Sequence, residues 1–283
     1  MCLRYKLVPI LFELEAARAF DGAAQAAGVV ADVHVKFDTG MGRLGVRDEA
    51  VHDFARALLS LKHLRVDGLM THFASADESA RDGFTAEQTA RFRAACEQFR
   101  ACGHNPTIED LANSAGAWAH PEARGRLVRP GGVLYGLWRD VLPPQADGSA
   151  LRPVLALRTR IMMSKWVAPG ETLGYGRTFT AARPTRVATL PIGYADGYPR
   201  ALSNRGRVLV RGQFAPVVGR ISMDLTLVDV TDVPDVAAGD TVTLIGADGT
   251  QELPAEELAR TADTISYELT CGISQRVRRH YKN

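Results

Sequence analysis

The feature that most constrains this fold is a change of texture near residue 140. Upstream of it, short apolar runs alternate with stretches whose apolar residues recur at helical spacing, the pattern of β-α units around a parallel sheet. Residues 8–13, 33–38, 66–73, 107–112 and 127–135 read as strands, and 16–27, 49–61, 85–102 and 117–123 as helices. Downstream, the connector VLPPQADGSALRP leads into period-2 segments at 151–167, 185–191, 206–210, 215–230 and 241–245, with one helical patch at Ala255–Thr261. Such alternation between turn residues predicts antiparallel strands. The expected organisation is an α/β domain over 1–140 and a mostly antiparallel β domain over 150–283.

A closed (β/α)8 barrel takes about 250 residues, roughly 30 per unit, so only about five of eight units fit before residue 140. A doubly wound open sheet is the rival architecture, but no glycine-rich phosphate loop follows the first apolar run as that fold's nucleotide binders require. The fold expected is therefore an incomplete barrel followed by the β domain. A chain that is 46% hydrophobic and 23% charged can bury such cores, and its net charge of +2 is too balanced for a nucleic-acid footprint. No apolar run approaches the roughly 20 residues of a membrane span, and Glu13 and Glu15 interrupt the start before any cleavage-like site. The reading is a cytoplasmic chain with neither nucleic-acid nor membrane partners. Cys2, Cys96, Cys102 and Cys271 are scattered without a C-x-x-C pair, so no metal site is expected.

Polar residues gather where the predicted strands end, the face on which barrel enzymes build their sites. Lys36 and Asp38 end one strand, His72 the next, and Asn113 and Ser114 another; Arg129 stands just before Gly131 and Gly132. A glycine pair beside a hydroxyl lets backbone N–H groups approach a phosphate, although the same pair also suits a simple turn. In the β domain, Tyr175 lies between Gly174 and Gly176, and Tyr194 and Tyr198 lie in GYADGY. A functional phenol there would need a nearby cation to lower its pKa from about 10.

Eight ordered motifs together resemble the alanine racemase family. They are VKFDTGMGRLGV (35–46), GLMTHFASAD (68–77), LANSAG (111–116), VRPGGVLYGL (128–137), GETLGYGRTF (170–179), ATLPIGYADGYPR (188–200), VVGRISMD (217–224) and TISYELTCGISQRVRRHY (264–281). The resemblance implies an α/β barrel plus a β domain, pyridoxal 5'-phosphate as cofactor, and a homodimer with its active sites at the interface. The implied reaction interconverts L-alanine and D-alanine through a cofactor aldimine by a two-base mechanism and supplies D-alanine for peptidoglycan. Tyr175 is similar to the family's proton-exchanging tyrosine, which serves the partner subunit's site. Arg43 is similar to the arginine beside that phenol and the substrate carboxylate. His72 and Arg129 resemble a linked pair, with Arg129 facing the pyridine nitrogen. Ser114, Gly131, Gly132 and Tyr267 resemble the phosphate cradle; Met223 resembles a substrate-carboxylate contact, and Tyr194 lines the entrance.

One family element has no counterpart. The Schiff-base lysine, which is also the second base, belongs to a pattern like K-A-N-A-Y-G-H-G that is absent here. The five lysines are Lys6, Lys36, Lys62, Lys165 and Lys282. Lys36 stands where the family carries a structural lysine, sometimes carbamylated, that orients the arginine matched by Arg43. Position 110 is Asp where many members have His. Three absent barrel units amount to roughly 90 residues, so the expectation is a sequence lacking the N-terminal part of its barrel and inactive alone. Two alternatives share the resemblance: a broad-specificity amino-acid racemase, and a non-catalytic remnant that acts as a dimerisation partner.

Overall fold

The computed structural model describes residues 1–282. It divides into two units: Met1–Leu134 with Val141–Ala150, and Tyr135–Asp140 with the chain from Leu151 onward.

The first unit is built on a parallel sheet. After a helical turn, α1 (Cys2–Tyr5), come β1 (Ile10–Leu11), α2 (Leu14–Ala26), β2 (Ala31–Lys36), α3 (Val51–Leu58), β3 (Leu64–Met70), α4 (Asp82–Ala101), β4 (Ile108–Asp110) and α5 (Ser114–Ala119). The four strands pair in chain order, all parallel. Alternation along β2 sets the two faces. Val33 and Val35, followed by Phe37, are fully buried among the helices, while His34 and Lys36 project from the other face because successive side chains alternate. On α4 the buried residues Thr85, Gln88, Thr89, Phe92, Ala95, Cys96 and Phe99 recur every three or four positions, one helix face laid on the sheet. The Phe37 ring lies 5.3 Å from that of Phe99 and 6.0 Å from that of Phe92.

The expected fifth strand does not form. Leu127 makes a single parallel bridge to Asp110, and Gly132–Tyr135 is a 3-10 turn. Pro130 lacks the N–H a ladder needs and the glycine pair that follows favours a turn, which stops the pairing there. The sheet thus has four strands rather than five, and among the described residues no strand pairs with the outer edge of β1.

The second unit is antiparallel throughout. One sheet orders β11 (Gln213–Pro216), β10 (Arg207–Val210), β13 (Thr241–Asp248) and β14 (Gln251–Leu253), with β5 (Leu157–Arg160) also on β13. A second orders β12 (Thr226–Asp229), β9 (Thr185–Leu190) and β6 (Met163–Val167), and β7 (Thr172–Leu173) pairs with β8 (Phe179–Thr180). The predicted strand over 215–230 is divided: after β11 the chain turns through Gly219, whose φ of +74° suits glycine, and joins the second sheet as β12. Helix α6 occupies the predicted Ala255–Thr261, whereas α7 (Ser266–Gly272) was not anticipated.

Two carboxylates tie residues 135–140 to these helices. Glu256 accepts the N–H groups of Trp138 and Arg139 at 3.1 and 3.4 Å. Asp140 accepts the Ser266 N–H at 2.6 Å and its hydroxyl at 2.8 Å, filling the start of α7. No helix among the described residues is long and apolar enough to cross a membrane.

Candidate active site

In the first unit the site grows from the C-terminal ends of β2, β3 and β4. Beyond β2 the chain doubles back: Val46 N–H donates to Lys36 O at 2.8 Å and Asp38 N–H to Val46 O at 3.0 Å. The Asp38 carboxylate accepts the Gly40 and Gly42 N–H groups at 3.1 and 2.9 Å, with Arg47 at 3.5 Å. Gly45 permits the return, since its φ is +141° and a Cβ would lie 2.4 Å from the Asp38 nitrogen. The loop so closed carries Arg43 close enough to act electrostatically on both Lys36 and His72.

Arg129 is anchored by its own N–H, which donates to Ala112 O at 2.9 Å. Its guanidinium donates to Thr71 O at 2.9 Å and to His72 Nδ1 at 3.2 Å, and it meets the buried carboxylate of Asp110. Burial, then the charges of Arg129, Arg43 and Lys36, push the His72 pKa down to about 4. Lys36 is lowered by burial and by Arg43 and Arg129, with Asp38 opposing. Burial lifts the Asp110 carboxyl against the pull of Arg129. The result is a cluster of basic groups suited to an anion and to an uncharged imidazole.

Beside it, Asn113 caps α5 by accepting the Gly116 N–H at 2.9 Å. The next residue, Ser114, is buried, and its Oγ accepts the Gly131 N–H at 2.7 Å. Gly132, also buried, opens the 3-10 turn that follows.

In the second unit Tyr175 lies between β7 and β8 and is 72% exposed. It borders an open hollow of about 370 Å³ with Arg220, Ser222 and Leu225. Tyr194 N–H donates to Ser222 O at 3.1 Å and Ala195 N–H to Met223 O at 3.0 Å, so the Tyr194 turn and the Met223 loop are joined. Arg276 holds both, pairing with Asp196 at 3.4 Å and Asp224 at 2.7 Å. Tyr267 stands on α7, whose end meets the same turn where Ser274 N–H donates to Asp196 O at 3.0 Å.

Known proteins resemble both parts of the chain. A model described as alanine racemase, N-terminal domain, matches residues 1–138, and one described as alanine racemase, C-terminal domain, matches 154–281. The chain is 45% identical to an alanine racemase of Halothermothrix orenii and 49% identical to one of Geobacter sulfurreducens, covering 100% of itself and 74% of each. The chain belongs to the alanine racemase family. Among solved structures, the alanine racemase of Streptomyces coelicolor A3(2) superposes with a TM-score of 0.93 at 36% identity, over 100% of this chain and 74% of that one. That of Bartonella henselae, with covalently bound pyridoxal phosphate, gives 0.87 at 28%, over 99% and 75%.

Within this racemase, the structure brings together His72 and Arg129, and Ser114 and Gly131, with Lys36 and Arg43 at the same strand ends. Tyr175 and Tyr194 each neighbour the loop that carries Met223. Sequence reasoning missed Asp110 as the partner of Arg129. Only the structure supplies the pairing: Asp110 lies beside Met70, two residues before His72, at the end of β4.

Proposed function

We propose that this racemase interconverts L-alanine and D-alanine, with pyridoxal 5'-phosphate held at the ends of β2, β3 and β4. The observation that carries the reading is the Arg129–His72 contact beside the Ser114–Gly131 contact, set among Lys36 and Arg43. These residues fit a phosphorylated pyridine. The buried Ser114 hydroxyl, with its proton free to donate, and the Gly131–Gly132 backbone would lie beside the phosphate, and Arg129 would face the ring nitrogen. When bound, the cofactor supplies an electron sink for charge developing on the substrate α-carbon. Arg129 is a donor without a proton to lose near neutral pH, so it would hold a ring nitrogen by a hydrogen bond and leave it unprotonated.

Arg43 and the Met223 N–H hold the substrate carboxylate, Tyr194 lines the approach, and Tyr175 moves the α-proton on one face. His72, kept neutral, accepts from Arg129 without adding charge. Tyr175 serves the partner's site in a homodimer, an isologous arrangement in which each chain completes the other. The product, D-alanine, is made in the cytoplasm for peptidoglycan.

Proton movement on the opposite face requires a second base, and no lysine of this chain stands in the K-A-N-A-Y-G-H-G-like context. Lys36 is buried at the site, and its position in the family motif is that of a structural lysine. The 283-residue chain alone is therefore expected to bind the cofactor without a covalent tether and without turnover. The test adds pyridoxal phosphate to the purified chain, reduces with borohydride, maps labelled lysines by mass spectrometry and assays alanine by chiral chromatography. Saturable cofactor absorbance without a labelled lysine is the expected result. Stoichiometric labelling of Lys36 with turnover would reassign the anchor, and failure to bind the cofactor at all would remove the site.

A further inference from the structure

We infer that Asp110 is a positioning residue that orients Arg129, and that through Arg129 it fixes His72 as the tautomer protonated on Nε2. The Asp110 side chain is 2% exposed, and its carboxylate meets Arg129 Nη1. Nη1 also points to the Asp110 carbonyl at 3.4 Å, while Nη2 donates to Thr71 O at 2.9 Å and to His72 Nδ1 at 3.2 Å. A guanidinium is planar and carries donors only. His72 Nδ1 is therefore the acceptor, and the ring proton lies on Nε2. Gripping one prong of a rigid fork settles where the other prong points, so the carboxylate on β4 determines what the imidazole after β3 encounters.

The surroundings leave this task to Asp110. Facing the cluster are His34 and Lys36 from β2, Arg43 from the loop after it, His72 and Arg129. The other nearby carboxylate, Asp38, is committed to Gly40, Gly42 and Arg47. Removing one member of a buried pair leaves the other charge uncompensated, and the guanidinium must then seek another partner. The inference rests on the proposed racemase reading only for its consequence, which is that Asp110 also aims Arg129 at the cofactor nitrogen.

The experiment is 15N NMR of the His72 ring in the unliganded full chain, assigned with His72→Gln and read across a pH titration. In the wild type Nδ1 is expected to be unprotonated and Nε2 protonated, with a midpoint near 4. In Asp110→Asn the single tautomer is expected to be lost, with the ring proton shared between Nδ1 and Nε2. Asp110→Glu, which keeps the charge, restores the tautomer. Asp110→Asn with the wild-type tautomer would overturn the inference. If circular dichroism shows that Asp110→Asn does not fold, Asp110→Ser gives the reading. It removes the carboxylate that grips Arg129 Nη1, so an unchanged His72 tautomer in that variant would equally overturn the inference. Cofactor absorbance is recorded in parallel: no cofactor binding with the expected NMR result would refute the function proposed above and leave this inference standing.

Discussion

The carboxylate of Asp38 accepts the backbone N–H of Gly42 at 2.9 Å, closing the loop that delivers Arg43. Burial opposes ionisation of Asp38, but the N–H groups of Gly42 and Gly40 and the charge of Arg47 hold its carboxyl below the usual range. A carboxylate depressed in the folded state stabilises above the unfolded pKa, and that stabilisation is lost as pH falls through the folded value. Asp38→Ala is expected to cost about 1–3 kcal/mol near neutral pH, the range for losing a buried charged acceptor. Melting curves at pH 7 and pH 3 check this, and the gap to wild type should narrow at the lower pH.

His72 gives a second titration of the same sign in a higher pH window. Its folded pKa of about 4 lies below the ordinary 6.5, so between those values the unfolded chain binds the extra proton. Stability is then full above about pH 6.5 and falls as pH drops toward 4, by at most about 2 kcal/mol once solvent screening of a half-buried ring is allowed for. Urea titrations at pH 4.5 and 7 should show that part of the pH dependence disappearing in His72→Gln.

Phe92 is fully buried against Phe37 in the core of the first unit. Phe92→Ala is expected to cost about 3–5 kcal/mol, because the rigid sheet and helix cannot close over the void. Chemical denaturation followed by circular dichroism measures it.

At Gly45 both backbone and space argue against any side chain, given the φ of +141° and the 2.4 Å approach of a Cβ to the Asp38 nitrogen. Gly45→Ala is expected to destabilise by about 1–3 kcal/mol and to weaken cofactor binding more than Gly22→Ala, where a Cβ meets nothing within 4 Å. Equal losses at the two positions would show that the loop does not shape the site.

Tyr175 is exposed, so Tyr175→Phe should shift stability by less than about 0.5 kcal/mol. The proposed role appears in complementation. Co-expression of this chain with an alanine racemase relative whose matching GYG tyrosine is replaced should restore activity to that relative, and the Tyr175→Phe chain should not. Equal rescue by both chains would place the proton-moving phenol elsewhere.

Legibility in the sequence followed the range over which each element is determined. Strands β2 and β3 and helix α6 depend on local periodicity and lie within a few residues of their predicted places. The run at 127–135 is as apolar as a strand, but Pro130 and the glycine pair outweigh that pattern. Helix α7 was hidden because its seven residues, SYELTCG, include Ser, Tyr, Thr, Cys and a terminal Gly and carry little helical signal, and its start is completed by Asp140, 126 residues away. The residue types at the strand ends were readable; the Asp110–Arg129 pairing was not, because it depends on how the chain after β4 turns back.

Residues 135–140 belong with the second unit, and residues 141–150 return to the first. The polypeptide therefore crosses between its units three times rather than once. No single cut yields two self-sufficient pieces: severing after residue 140 strips the second unit of Asp140 and the segment that Glu256 holds, and severing before residue 135 takes 141–150 from the first. For the same reason a recombination event with one crossover near the middle of such a gene would join mismatched halves.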